Sequence, residues 1–298
     1  MKHISVSEAA KRWGLSERSV RNYCAEGRVT GAFLAGKTWS IPETAEKPDR
    51  LNKHTPHQAD LLSRLREEKK AKLSGGIYHR IQIDLTYSSG RIEGSRLSHD
   101  QTRLIFETNT LCAPGAVSVD DIVETANHFR CVDMIIDCAA HSLSSNFIKQ
   151  LHRILKNGTS DSRKEWFAVG DYKKMPNEVG GSETTAPEEV DAQMRKLLAD
   201  YNALKEKSFD DLLEFHYRFE SIHPFQDGNG RIGRLLLFKE CLRSGIVPFI
   251  VTDDLKMFYY RGLNNWPTEP GYLRGTCLTA QDRFRKVLDR FRISYKEA

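Results

Sequence analysis

The chain has 298 residues, of which 39% are hydrophobic and 29% charged, and carries a formal net charge of +5. That length allows two domains or one large one, the composition is that of a globular protein, and the mild basicity permits an anionic partner without requiring one. The opening stretch MKHISVSEAAKRWGL has no apolar core, and no apolar run approaches the ~20 residues of a membrane helix, so neither a leader nor a span is expected. Cys24, Cys112, Cys131, Cys138, Cys241 and Cys277 are scattered without a C-x-x-C pair. They read as buried free thiols of a cytoplasmic protein.

Residues 1–47 predict two short helices followed by a hairpin. Ser7 is placed to cap a helix ending at Gly14, and Ser16 a second ending at Gly27. The stretch FLAGKTWSIP then reads as two strands around a glycine turn. This order outlines a winged helix-turn-helix, and the segment resembles MerR- and excisionase-type domains. Residues 1–54 hold ten Lys or Arg against six Asp or Glu. In a DNA-binding reading, Arg18, Arg21 and Asn22 face a groove and Lys37 of the wing approaches phosphate. The competing reading is a small docking or dimerisation module.

Residues 48–60, PDRLNKHTPHQAD in the main, are polar and predict a linker. From residue 61 onward the pattern is mainly helical. The stretch GGIYHRIQIDLTYSS is ambiguous: Ile77, Ile81 and Leu85 fit a helix, whereas Ile81, Ile83 and Leu85 fit a strand. Ser98 with Gln101 predicts a capping box, and Ser118 caps a long helix. A further helix stops at Gly158. The stretch EWFAVGDYKKMPNEVGG predicts a β-hairpin with a Gly-Asp turn and a Gly-Gly end. Helices at about 188–205, 209–222 and 229–244 follow.

Between the last two lies HPFQDGNGRIGR, residues 223–234. Pro224 stops the preceding helix near His223. Asp227, Gly228, Asn229 and Gly230 then fall at a helix N-terminus, where glycines let backbone N–H groups converge on an anion and the helix dipole assists. Arg231 and Arg234, three apart, add charge suited to a polyphosphate. Asp227 is a candidate Mg²⁺ ligand, and His223 titrates near neutrality at the same mouth, as a general base would. His216 and the Cys131–Cys138 pair read as packing residues, not as ligands or a redox couple.

The stretch fills every fixed position of H-x-F-x-[D/E]-G-N-G-R-x-x-R, and the region 61–298 resembles the Fic family. That resemblance implies a mainly α fold: a helical bundle with one β-hairpin flap at about 169–181, here preceded by the small winged domain. It implies AMP transfer from Mg-ATP to a Tyr, Ser or Thr hydroxyl of a protein clamped by the flap. His223 would be the base, with Phe225 anchoring the loop. Asp227 would bind Mg²⁺. Gly228, Asn229, Gly230, Arg231 and Arg234 would hold phosphates, and Tyr259 or Tyr260 would line the base pocket. SSGRIEGS at 88–95 is similar to the family's inhibitory segment, in a helix at about 77–94. Ser89, Glu93 and Gly94 match, and Glu93 would pair bidentately with Arg234. Removal of AMP, or a nucleotide-sensing DNA-binding regulator, are the alternative functions. A homodimer is compatible with the pattern.

Overall fold

The structure is a computed structural model that describes residues 2–25, 28–35, 38–48, 60–112 and 115–295. Lys37, most of the expected linker, and the side chains of Arg18 and Asn22 lie outside the described residues. The chain separates into two compact units, Met1–Gln58 and Ala59–Ala298.

In the smaller unit, β1 (His3–Ser5) leads into α1 (Val6–Trp13) and α2 (Glu17–Ala25), followed by β2 (Phe33–Ala35) and β3 (Thr38–Pro42). The expected hairpin becomes a three-stranded antiparallel sheet of order β1-β3-β2, with His3 opposite Pro42 and Phe33 opposite Ser40. The cap of α1 is Ser5, not Ser7. Ser5 and Glu8 form a reciprocal capping box because β1 delivers the chain to the helix at Ser5. Gly14 ends the helix in the left-handed region, and Ser16 Oγ accepts from the Ser19 N–H at the start of α2. Ala9, Val20 and Ile41 form the fully buried centre of this unit.

The larger unit runs through α3 (Leu61–Ala71), α4 (Ile77–Ile92), α5 (His99–Thr108), α6 (Val119–Asp137) and α7 (Ser145–Lys156). After the hairpin β4 (Glu178–Val179) and β5 (Ser182–Glu183) come α8 (Pro187–Ala203), α9 (Phe209–Ile222), α10 (Asn229–Ser244), α11 (Lys256–Asn265) and α12 (Gly271–Arg290). The ambiguous stretch resolves as helix α4. Ile77, Ile81, Ile83 and Leu85 are all buried because α4 packs against α3, α5, α6 and α10, so more than one face is apolar. Ser98 and Gln101 form the expected box, and Ser118 caps α6.

Helix α10 is the centre of the bundle. Its residues are buried nearly all round, with Ile232, Leu235, Leu236 and Cys241 fully enclosed, and it packs on α4, α6, α7 and α9. Enclosed on every side, it is a core helix even though it carries Arg231, Arg234, Lys239 and Glu240. Its N-terminus is thereby held in one place by four neighbours.

Candidate functional site

Helix α9 ends at His223, which takes φ 50° and ψ 62° in the left-handed region. Pro224 prevents any continuation, and this rare conformation for a non-glycine residue turns the chain sharply into the loop before α10. Three interior contacts lock the loop. Phe225 is completely buried, its ring stacked 4.0 Å from His152 at an interplanar angle of 5°. Asn229 Oδ1 accepts from the Phe225 N–H at 2.8 Å, and its Nδ2 donates to the Phe225 carbonyl at 2.7 Å. The His152 ring accepts from the Gly170 N–H at Nδ1, 2.9 Å, so its Nε2–H donates to the Asp227 carbonyl at 3.1 Å. Gly228 caps α10 at φ 83°.

Asn229 thus serves the loop's shape through its side chain. Its side chain is buried and used to close the loop, which leaves only backbone N–H groups of the first turn facing outward.

His223 Nδ1 donates to the Glu220 carbonyl at 3.3 Å, so Nε2 is the ring's acceptor. Burial lowers the imidazole's pKa, the Glu220 hydrogen bond partly opposes this, and the nearby Lys173 ammonium lowers it further. The ring is thus neutral near pH 7, as a base must be.

Arg231 donates to Glu124 on α6 and, at 3.3 Å, to Asp227. The same two carboxylates, with Asp161, surround Lys156 Nζ at 2.5, 2.6 and 3.0 Å. Burial opposes the charge on Asp227, yet Arg231 and Lys156 pull its carboxyl down to about 2. Its side chain stays about half exposed (47%) beside a cavity of about 190 Å³ lined also by Glu93, Glu124, His128 and Arg231. Among the described residues no cluster of three His, Cys, Asp or Glu forms an all-protein metal site. One ionised carboxylate at a phosphate site is the donor set that Mg²⁺ uses together with substrate oxygens.

Arg234 is engaged at Nε and Nη2 by the end of α4. Its Nε donates to Ser89 Oγ at 3.0 Å, and its Nη2 to the Ser89 carbonyl at 3.2 Å and to Glu93 Oε1 at 2.7 Å. The expected bidentate Arg–Glu fork is in fact a shared grip, because the end of α4 offers a hydroxyl, a carbonyl and one carboxylate oxygen in a row. Burial works against ionised Glu93, but Arg234 and Arg231 outweigh it and hold its pKa below the usual range. Gly94 follows at φ 96° and ends the helix. Gly230 makes the approach possible, since a Cβ there would meet Glu93 Oε1 at 2.4 Å. Behind Arg234, burial raises the Glu220 carboxyl to about 7.

Tyr259 and Tyr260 part company. Tyr259 is buried, with its hydroxyl 2.6 Å from His216 Nε2, which makes both of them core residues. Tyr260 is half-exposed, its hydroxyl 3.5 Å from the Ile92 carbonyl at the rim of the site. Cys131 is buried and Cys138 half-buried, both as free thiols, while Cys112 is exposed, contrary to expectation.

The hairpin also differs from expectation. Gly180-Gly181 is its turn, not its end, and the strands are only Glu178–Val179 and Ser182–Glu183. Gly170-Asp171 makes no hairpin turn, because Gly170 packs on His152 and Tyr172 is drawn inward. The segment before the strands is tied to the motif loop instead. The Lys173 N–H donates to the Pro224 carbonyl at 2.9 Å, and Asn177 Nδ2 to the Phe225 carbonyl at 3.0 Å.

Sequence reasoning missed Lys156, Glu124, His152, Glu220 and Lys173. One signal was present for His152: it lies on the buried stripe Ile148, Leu151, His152, Leu155, where a polar residue needs a reason.

Residues 142–240 match the Fic/DOC family. The chain is 28% identical over 184 residues to the protein adenylyltransferase Fic of Nematostella vectensis, covering 60% of this chain and 42% of that protein. It is 28% identical over 226 residues to the protein of the same name from Drosophila mojavensis, covering 73% and 40%. It thus spans about two fifths of the length of these relatives. A Fic domain containing signaling protein from Bacteroides thetaiotaomicron superposes with a TM-score of 0.58 at 26% identity, over 78% of this chain and 92% of that one. A structure of Fic-1 from Caenorhabditis elegans shares the fold, with a TM-score of 0.60 at 22% identity over 78% of this chain and 72% of that one.

Proposed function

We propose that the larger unit is a Fic domain, that it transfers AMP from Mg-ATP to a Tyr, Ser or Thr hydroxyl of a protein, and that Glu93 restrains the reaction. One observation carries the reading: a neutral histidine with a free acceptor nitrogen stands at the mouth of a glycine-capped helix N-terminus bearing two arginines. His223 Nε2 takes the hydroxyl proton as the oxygen attacks the α-phosphorus, and pyrophosphate leaves. The N–H groups of the first turn of α10 and Arg231 stabilise the charge that builds on phosphate oxygens. Asp227 would hold Mg²⁺, which supplies charge neutralisation across the phosphates. Tyr260 would border the nucleoside. Segment 171–183 would present the target backbone, its strands β4 and β5 offering an edge for pairing.

Autoinhibition follows from Arg234. While Ser89 and Glu93 occupy it, a terminal phosphate has no guanidinium to meet, and a misplacement of about 1 Å can cost about 100-fold in rate. Removal of AMP is a second reading with its own support, since Glu93 Oε1 lies against Gly230, where a carboxylate could align a water. The smaller unit, we propose, is a winged helix-turn-helix that binds DNA through α2.

The test is the intact mass of Glu93→Gly protein after ATP and Mg²⁺, with Glu93→Gly/His223→Ala as control. Gain of one AMP by the first and not the second supports transfer. No gain on itself or on any lysate protein with α-labelled ATP overturns it, and label released from premodified protein supports removal.

A further inference from the structure

A histidine outside the motif faces the same cavity. His128 lies on α6, is 2% exposed, and with Thr86, Glu93, Glu124, Asp227 and Arg231 lines the 190 Å³ cavity. That volume is several times the ~30 Å³ share of one water molecule, so a phosphoryl group has room there. His128 Nδ1 is 2.8 Å from Thr86 Oγ1. Its Nε2 is buried and has no partner among the described residues. An orphaned buried polar atom calls for an explanation.

The tautomer follows from Thr86. Thr102, Thr108 and Thr276 each donate their hydroxyl to the carbonyl four residues back, but Thr86 makes no such bond. Its hydroxyl proton has His128 Nδ1 as its acceptor, so Nδ1 is unprotonated and Nε2 carries the hydrogen. Burial, and then the Arg231 and Arg234 guanidinium groups, lower the ring's pKa to about 3, so it stays neutral. Arg231 Nε is a second buried donor without a partner on the same cavity. The carboxylates of the wall are already engaged: Glu93 by Arg234, Glu124 and Asp227 by Lys156 and Arg231, Asp121 by the Arg96 N–H. Two buried donors without partners among the described residues thus belong to side chains that line one polar cavity, and such donors call for an anionic acceptor.

We infer that His128 Nε2–H, oriented by Thr86, binds an oxygen of the nucleotide's phosphate tail beyond the α-phosphate and so lets the site tell ATP from AMP. This rests on the nucleotide-transfer reading above. The donor is neutral and its tautomer is set by Thr86 before the ligand arrives, so a charged oxygen meets an N–H already in the required form. His128 would position the leaving pyrophosphate and would have no part in proton transfer.

The experiment measures ATP and AMP dissociation constants with Mg²⁺ by calorimetry on the full chain. Glu93→Gly is compared with Glu93→Gly/His128→Phe, which keeps the ring and removes the donor, and with Glu93→Gly/Thr86→Val, which frees the tautomer. Loss of one hydrogen bond to a charged oxygen predicts ATP binding weakened about tenfold, with AMP binding unchanged. Equal weakening of both nucleotides, or of neither, overturns the inference. Histidine ¹⁵N spectra of the Glu93→Gly protein give a second readout that needs no change at 128. The Nε2–H tautomer must be present before ligand, and its signal must move with ATP and not with AMP. If Glu93→Gly binds neither nucleotide, the transfer reading itself fails, and the inference falls with it.

Discussion

Arg231 and Arg234 stand three residues apart on α10, yet they are held in different ways. Arg231 belongs to a cluster in which Glu124, Asp161 and Asp227 share the cations of Lys156 and Arg231, drawn from α6, α7, the segment after α7 and the motif loop. Each carboxylate but Asp161 has both cations as partners, so no single bond decides the geometry. Arg234 is held by one helix end, Ser89 to Glu93, and among the described residues its only ionic contact of hydrogen-bond length is Glu93 Oε1 at 2.7 Å. The first arrangement is a scaffold built through several elements. The second can be undone by moving a single turn of α4. Detachability is what a restraint needs and what a scaffold must lack.

The comparison breaks most readily at Lys156. Lys156→Met would leave Glu124 and Asp227 with only Arg231 to answer them, and Asp161 with only Lys164, and stability should fall by about 3–5 kcal/mol, read as a thermal or urea midpoint. Glu93→Gly should cost clearly less, since Arg234 keeps both Ser89 acceptors, while transfer rises up to about 100-fold. Equal destabilisation by the two would erase the distinction between scaffold and restraint.

A pH profile of the Glu93→Gly protein sharpens it further. Burial lowers the His223 pKa, so the base stays unprotonated below its usual titration range. Transfer should persist as pH falls through 6.5 and decline only beneath it. A midpoint above 6.5 would mean that the ring is not in the buried setting described. The acidic partners set the opposite limit. Asp227 has a folded pKa depressed to about 2, so its contribution is complete above the ordinary carboxylate range and is lost only as pH falls through that low value. The cluster should therefore survive across the window in which His223 titrates.

The smallest effect is expected far from either arginine. Arg21 makes an exposed pair with Glu17 at 3.2 Å on α2, worth at most about 1 kcal/mol. Arg21→Ala should leave transfer and melting unchanged and weaken DNA binding in gel shifts at low and moderate salt. If wild type shifts no DNA at low salt, the docking reading of the smaller unit takes over.

The motif was legible because its signals are local. A proline after a helix, glycines at a helix start and arginines at i and i+3 state their geometry without reference to the rest of the chain. The capping box at Ser98 was local too, and it forms. The capping of α1 was misplaced by two residues because β1, a three-residue strand, exists only through its pairing with β3. The hairpin was misjudged for a similar reason: Tyr172 and Gly170 carry strand and turn signals but are claimed by His152, Phe225 and Lys149. Helix α4 could not be told from a strand by periodicity, since its second apolar face answers to neighbours far away in sequence.

Residues 223–234 by themselves thus determined a loop, a helix start and the chemistry that such a terminus attracts, because backbone geometry and dipoles act over a few residues. Only the tertiary structure decided which charges meet there. Lys156 lies 71 residues from Asp227, Glu124 lies 107 from Arg231, and Ser89 lies 145 from Arg234. Coulomb attraction and hydrogen bonding depend on distance in space, which folding alone sets.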